Sequence, residues 1–113
     1  MAIATSARRV SGRPAGTDIL DLSIVVPVFN EVESVGQLHA ALTAVLEPLP
    51  LDYEIIVVDD GSTDGTSAEL AAMAERDPRL KVIEFRRNFG QTAAIAAGFD
   101  YALGAVVIPV TTA

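Results

Sequence analysis

The chain has 113 residues, half of them apolar and a fifth charged, with no Cys. That is enough for one globular domain, and it excludes a disulfide scaffold, a Cys-ligated zinc site and a thiol nucleophile. Eight basic against fifteen acidic residues give a formal charge of −7, which argues against nucleic acid as the main partner.

Residues 1–21 are rich in Ala, Ser, Arg, Gly and Pro and lack periodicity. They predict a flexible tail ahead of a folded unit at 22–113. Arg8 and Arg9 are not followed by the apolar segment a secretion signal needs. The longest apolar or Gly/Pro run, 102–110, is far shorter than the roughly 18 residues of a membrane span.

From residue 22 strands and helices alternate. Residues 23–28 (SIVVPV) form a β-branched run of buried-strand type, with Pro27 marking its end. Asn30 is placed to cap the next helix, and Glu33 completes a capping-box pattern. That helix runs to about Leu46, with Val35, Leu38, Leu42 and Val45 inward and Pro48 as its stop. His39 falls among these apolar positions and reads as a surface or flank residue.

Residues 53–58 predict a second strand, and Thr63 or Asp64 caps a second helix to about Arg76 with Leu70, Met73 and Ala74 inward. Residues 80–85 predict a third strand and 86–90 a polar loop. An Ala-rich third helix follows at 91–103, with Gly104 as its C-terminal cap, and 105–110 open a fourth strand. This alternation with short connections implies an α/β fold, a mainly parallel sheet with flanking helices and right-handed crossovers.

Ligands of open α/β sheets bind beyond the carboxyl ends of the strands. Polar clusters fall at three such ends: Phe29-Asn30-Glu31, Asp59 to Thr63, and Arg86-Arg87-Asn88. Singly, each is ordinary turn chemistry; their convergence is what points to a site. Side chains alternate along a strand, so Asp59 and Asp60 point different ways, one to support the loop and one to face a ligand. A ligand-facing carboxylate suits a base N–H edge, a ribose hydroxyl or a hydrated cation. Gly61 and Gly65 do not make the dinucleotide fingerprint, and no P-loop is present.

Residues 24–31 (IVVPVFNE) resemble the opening of the inverting glycosyltransferase family 2, which has the GT-A fold, and 57–66 (VVDDGSTDGT) resemble its second motif. Arg87-Asn88-Phe89-Gly90-Gln91, then 94–98, are similar to the branch of dolichol- and polyprenyl-phosphate sugar transferases. The match runs over about three-quarters of the chain, from about Leu22 to Val107. The resemblance implies a UDP- or GDP-linked sugar donor, with Pro27, Phe29 and Glu31 lining the nucleotide pocket. It implies Asp60 on the base, Asp59 supporting it, and Arg87 and Asn88 toward the ribose–phosphate side. In the family, an Asp-x-Asp motif on the fourth strand holds Mg²⁺ or Mn²⁺ against the diphosphate, and a later Asp or Glu is the general base. Here the matching residues are Thr111-Thr112-Ala113, so the metal ligands are missing.

The expectation is the donor-binding half of a truncated transferase, inactive alone. Intact, it would act at the cytoplasm or the cytoplasmic face of the membrane on a lipid-phosphate or glycan acceptor. Two other readings stand beside it. A non-catalytic nucleotide-sugar-binding module shares the pocket and needs no metal. A phosphoacceptor signalling domain also ends a strand in Asp-Asp, but it requires a further Asp and a Lys that 105–113 do not supply.

Overall fold

The computed structural model describes residues 19–112. Four strands, β1 (Leu20–Val28), β2 (Tyr53–Asp59), β3 (Leu80–Glu84) and β4 (Gly104–Pro109), alternate with three helices, α1 (Val35–Leu46), α2 (Thr66–Arg76) and α3 (Gln91–Tyr101). The strands form one sheet in the order β3-β2-β1-β4, and every pairing is parallel, with Val26 opposite Val57, Val57 opposite Val82 and Ile24 opposite Ile108.

Strand alternation divides the core in two. Ile24, Val26 and Val28 of β1, with Ile55 and Val57 of β2, face α1 and α2 and meet Val35, Leu46, Leu70 and Met73. Val25, Ile56 and Val58 face the other way and meet Ala94 and Ala102 on the α3 side. The arrangement follows from crossover handedness. The chain steps from β1 to β2 to β3 in one direction, with both helices on one face. It then returns past β1 to β4, which places α3 on the opposite face. Gly98 lets α3 sit close, because a Cβ there would fall 2.2 Å from Val25 Cγ1.

Several local expectations are corrected. The strand at Leu20 begins inside the segment assigned to the tail; the rest of that segment, 1–18, lies outside the described residues. Pro27 does not end β1, which continues to Val28 opposite Asp59. The β1 ladder to β4 stops at Val25 opposite Pro109, and Val25 O accepts the Val110 N–H. Backbone groups point to alternate sides along a strand, so the nitrogen of Pro27 faces this side beyond the last rung. No ladder bond is lost there, and a proline is tolerated.

The capping box does not form. α1 starts at Val35 with no side-chain cap, because Asn30 sits at φ 52 and uses its groups on another loop. Val45 is 66% exposed, and Leu46 takes the inward position. The eleven residue steps from Val35 to Leu46 close three helical turns almost evenly, whereas position 45 lies about 80° off that face. α2 begins at Thr66 with Gly65 at its cap position, not Thr63 or Asp64 as predicted. α3 ends at Tyr101, and Gly104 starts β4 instead of capping the helix. Two buried acceptors draw these residues out of the helix: the Leu103 N–H donates to Glu54 and the Gly104 N–H to Ser23. His39 is half-buried on α1, its Nε2 2.7 Å from Asp77.

Candidate functional site

Where β4 parts from β1, past Pro27, the sheet opens into a cleft of about 350 Å³. It lies where the strand order reverses, the usual ligand position in such sheets. Pro27, Val28, Phe29 and Glu31 supply its β1 wall; Asp60 borders it from the end of β2, and Gln91 and Thr112 close it from α3 and from beyond β4. Phe29 is 43% exposed, which leaves an aromatic face available to a ligand.

The loop carrying Phe29 and Glu31 is fixed by its neighbour. The backbone N–H groups of Asn30, Glu31 and Val32 donate in turn to Ser62 Oγ, Thr66 Oγ1 and Asp64 Oδ2 at 2.8, 3.1 and 3.2 Å. Asn30 Oδ1 accepts the Thr63 N–H at 2.8 Å in return. Left-handed backbone at Asn30 makes this exchange possible, a conformation Asn tolerates better than most residues. Asp64 also accepts the Thr66 hydroxyl and backbone N–H, and the hydroxyl bond is the main reason its carboxyl lies below the usual carboxylate range.

The aspartate pair divides as strand alternation requires. Asp59 is fully buried and accepts the Ser62 N–H and the Ser67 hydroxyl, so it braces the turn. Asp60, 3% exposed, reaches across to the β3–α3 loop. Its carboxylate accepts the Phe89 N–H at 2.7 Å, the Gly90 N–H at 3.1–3.2 Å and the Asn88 amide at 3.2 Å. Gly61, at φ 76, lies so close to this loop that a Cβ would meet Arg87 C at 2.1 Å.

Of the residues singled out by sequence, Pro27, Phe29, Glu31 and Asp60 meet around the cleft. Asp59, Arg87 and Asn88 do not line it. Asn88 is turned onto Asp60. The Arg87 guanidinium is stacked 4.2 Å over the Phe89 ring, outside the cleft. Val28, Gln91 and Thr112 also line the cleft; the sequence named them only within motifs, without a binding role. Gln91 opens the helix after the third polar loop, and that position was the available signal.

The acids present do not fit a divalent cation. Asp59 and Asp60 spend their oxygens on protein donors, and Glu31 accepts the Thr112 hydroxyl. Among the described residues, no group of three or more His, Asp or Glu is placed to hold a metal ion. No helix among them is long and apolar enough to cross a membrane.

The profile of the family described as "Glycosyl transferase family 2" matches residues 23–111. The dodecaprenyl-phosphate galacturonate synthase of Rhizobium johnstonii is 41% identical over 104 residues, which are 91% of this chain and 31% of that protein. The bactoprenol glucosyl transferase of Shigella phage SfV is 40% identical over 91 residues, 80% of this chain and 30% of that one. The chain thus spans about 30% of the length of these curated relatives. A mannosyltransferase from Pyrobaculum calidifontis, solved with GDP-Man and Mn²⁺, superposes with TM-score 0.72 at 24% identity over 97% of this chain and 34% of its own; at that identity the likeness establishes a shared fold. TarS of S. aureus in complex with UDP superposes with TM-score 0.69 at 27% identity over 80% of this chain and 27% of its own. With a matching profile across most of its length, this chain belongs to glycosyl transferase family 2.

Proposed function

We propose that this chain is the nucleotide-sugar-binding part of an inverting glycosyltransferase whose acceptor is a polyprenyl phosphate. The observation that carries the reading is the cleft at the β1/β4 divergence, where Pro27, Phe29, Glu31 and Asp60 meet. Its chemistry suits a nucleoside: an exposed aromatic face for stacking, the Glu31 carboxylate for N–H and hydroxyl donors, and a volume in the range of small-ligand sites. No Lys or Arg lines it, so the base and ribose enter while the diphosphate stays outward, nearer Arg86 and Arg87. The acceptor class comes from the relatives, whose names specify dodecaprenyl phosphate and bactoprenol.

In the reaction, the acceptor oxygen attacks the sugar C1 and the nucleoside diphosphate leaves from the opposite face. That step needs a base and charge stabilisation at the leaving group. Thr111 and Thr112 supply neither, so the described residues equip the cleft to bind a donor and not to assist its cleavage. Calorimetry with UDP-glucose and GDP-mannose, with and without Mn²⁺, tests this beside a transfer assay on undecaprenyl phosphate. Metal-indifferent donor binding without transfer is expected. Absence of binding to both donors overturns the reading.

A second reading, a non-catalytic nucleotide-sugar-binding module, is favoured by one observation. Both adjacent aspartates are committed to loop geometry, leaving a recognition site without metal ligands.

A further inference from the structure

The basic residues between 19 and 112 are Arg76, Arg79, Lys81, Arg86 and Arg87, so all of them lie on the edge strand β3 or beside it. Near its start, Arg79 is taken up by Glu47 and Tyr53, and the Lys81 amine by the Pro78 carbonyl. Arg86 and Arg87 follow its end. Both are exposed, and among the described residues neither has an ion-pair partner. Beside them Phe89 is 53% exposed. Its ring stands edge-on to Phe85 at 5.5 Å and carries the Arg87 guanidinium on its face. A stacked guanidinium keeps its in-plane N–H donors free for an anion.

A single exposed phenylalanine is ordinary on a protein surface. Here its backbone is fixed: Asp60 accepts the Phe89 and Gly90 N–H groups, and Gly61 abuts the Arg87–Asn88 peptide. The ring is held outward on a loop with little freedom left to lose on binding. We propose that residues 85–89 form a contact with an anionic lipid surface, Phe89 entering the headgroup–acyl boundary while Arg86 and Arg87 meet lipid phosphates. Arginine beside an exposed apolar ring suits that boundary, whereas a water-soluble acidic partner would use the arginines and leave the ring idle. The formal charge of −7 does not oppose the contact at this corner. Glu84 and Asp64 are engaged on the α2 side, at Ser67 and Thr66, while Phe85 packs on the α3 side. Glu31 and Glu33 follow β1, two strand spacings or about 10 Å away. That exceeds the Debye length of about 8 Å at physiological salt. The contact deepens the acceptor reading above and rests on it for its purpose. Gln91, on the cleft, directly follows this loop, so a membrane touching Phe89 brings lipid phosphates toward the donor site. Each guanidinium has N–H donors enough to serve the donor diphosphate as well.

The chain contains no Trp, so Phe89→Trp installs a single fluorescent reporter in the loop. With vesicles of equal parts phosphatidylcholine and phosphatidylglycerol its emission is expected to shift to the blue, and far less with phosphatidylcholine alone. Val45→Trp, on the exposed side of α1 across the sheet, is expected to stay unshifted. Adding Arg86→Gln or Arg87→Gln to the reporter should weaken vesicle binding about fivefold each. An unshifted Phe89→Trp emission, with circular dichroism unaltered, overturns the proposal even if the unmodified chain sediments with the vesicles, because the contact then lies elsewhere. A shift in both reporters overturns the loop as the contact. Capture of a soluble polyglutamate peptide without vesicle binding overturns the lipid surface and assigns the arginines to an acidic protein. Calorimetry with UDP on the same samples keeps the two readings apart. UDP binding without vesicle binding overturns this proposal alone, and vesicle binding without UDP binding overturns the donor site alone.

Discussion

Asp60 holds Phe89 from 29 residues away: its Oδ1 accepts the Phe89 N–H at 2.7 Å, and the same carboxylate takes the Gly90 N–H. One side chain at the end of β2 therefore sets the path of the loop that leads from β3 into α3. Asp60→Ala leaves these buried or half-buried donors without a partner, at a cost of about 1–3 kcal/mol. Urea unfolding should show that loss, and hydrogen exchange at Phe89 and Gly90 should accelerate more than at Val57 in β2. Uniform acceleration across the sheet would instead mean that Asp60 supports the whole fold and not this loop.

Gly61 and Gly36 make opposite predictions for the same substitution. A Cβ at Gly61 would enter the Arg87–Asn88 peptide, 2.1 Å from Arg87 C and 2.4 Å from Asn88 N, at a φ of 76. Gly61→Ala must move that backbone, so it should destabilise the protein by about 1–3 kcal/mol and weaken nucleotide binding. Gly36 lies in α1 with nothing within 4 Å of its added Cβ. Gly36→Ala should stabilise by up to about 1 kcal/mol and leave binding unchanged. Thermal melts of the two variants, run beside calorimetry with UDP, check both signs.

Periodicity and β-branched runs are enough to place all four strands and three helices, because β1 and β2 are buried on both faces and need continuous apolar sequence. The ends of the elements were harder to read, since they are decided by partners distant in the chain. Asn30 looks like a helix cap until Ser62 and Thr63 are folded against it. Gly104 looks like a C-cap until Ser23 and Glu54 claim the backbone beside it. At the site, strand ends and the alternation of Asp59 and Asp60 were legible. The orientation of Asn88 and the stacking of Arg87 on Phe89 were not, because they depend on how a six-residue connection between β3 and α3 closes over β2.

Glu54 is a charged residue type at the centre of the sheet, 2% exposed and on the α3 side. Its Oε2 accepts the Ser23 hydroxyl at 2.7 Å and the Leu103 N–H at 2.8 Å, while Ser23 Oγ accepts the Gly104 N–H at 2.8 Å. The network joins β1, β2 and the α3–β4 turn, so it fixes where β4 enters the sheet. Glu54→Ala removes the shared acceptor and strands a buried hydroxyl and a backbone N–H, at about 3 kcal/mol or more. Ser23→Ala should cost less, because Glu54 keeps the Leu103 bond. Chemical denaturation should rank the two in that order, and the reverse ranking would show that Ser23 is the principal tie to β4.

His39 and Asp77 join α1 to the end of α2 through a 2.7 Å contact, with each side chain about one-fifth exposed. Burial is the largest influence on Asp77 and raises its pKa. The His39 hydrogen bond, the Arg79 backbone N–H and the nearby positive charges outweigh it, so the net shift is downward from 3.8. A depressed carboxylate contributes stability that is fully present above its unfolded value and lost as the pH falls through the folded one. Asp77→Asn should therefore be less stable than the parent near neutral pH, by about 1 kcal/mol for the weakened contact. The gap should close as the pH drops below 3.8, where the parent's Asp77 becomes protonated as well. Denaturation midpoints of the two proteins between about pH 7 and pH 3 measure it. A gap that widens on acidification would mean that the contact favours protonated Asp77 over its carboxylate, the reverse of a lowered pKa.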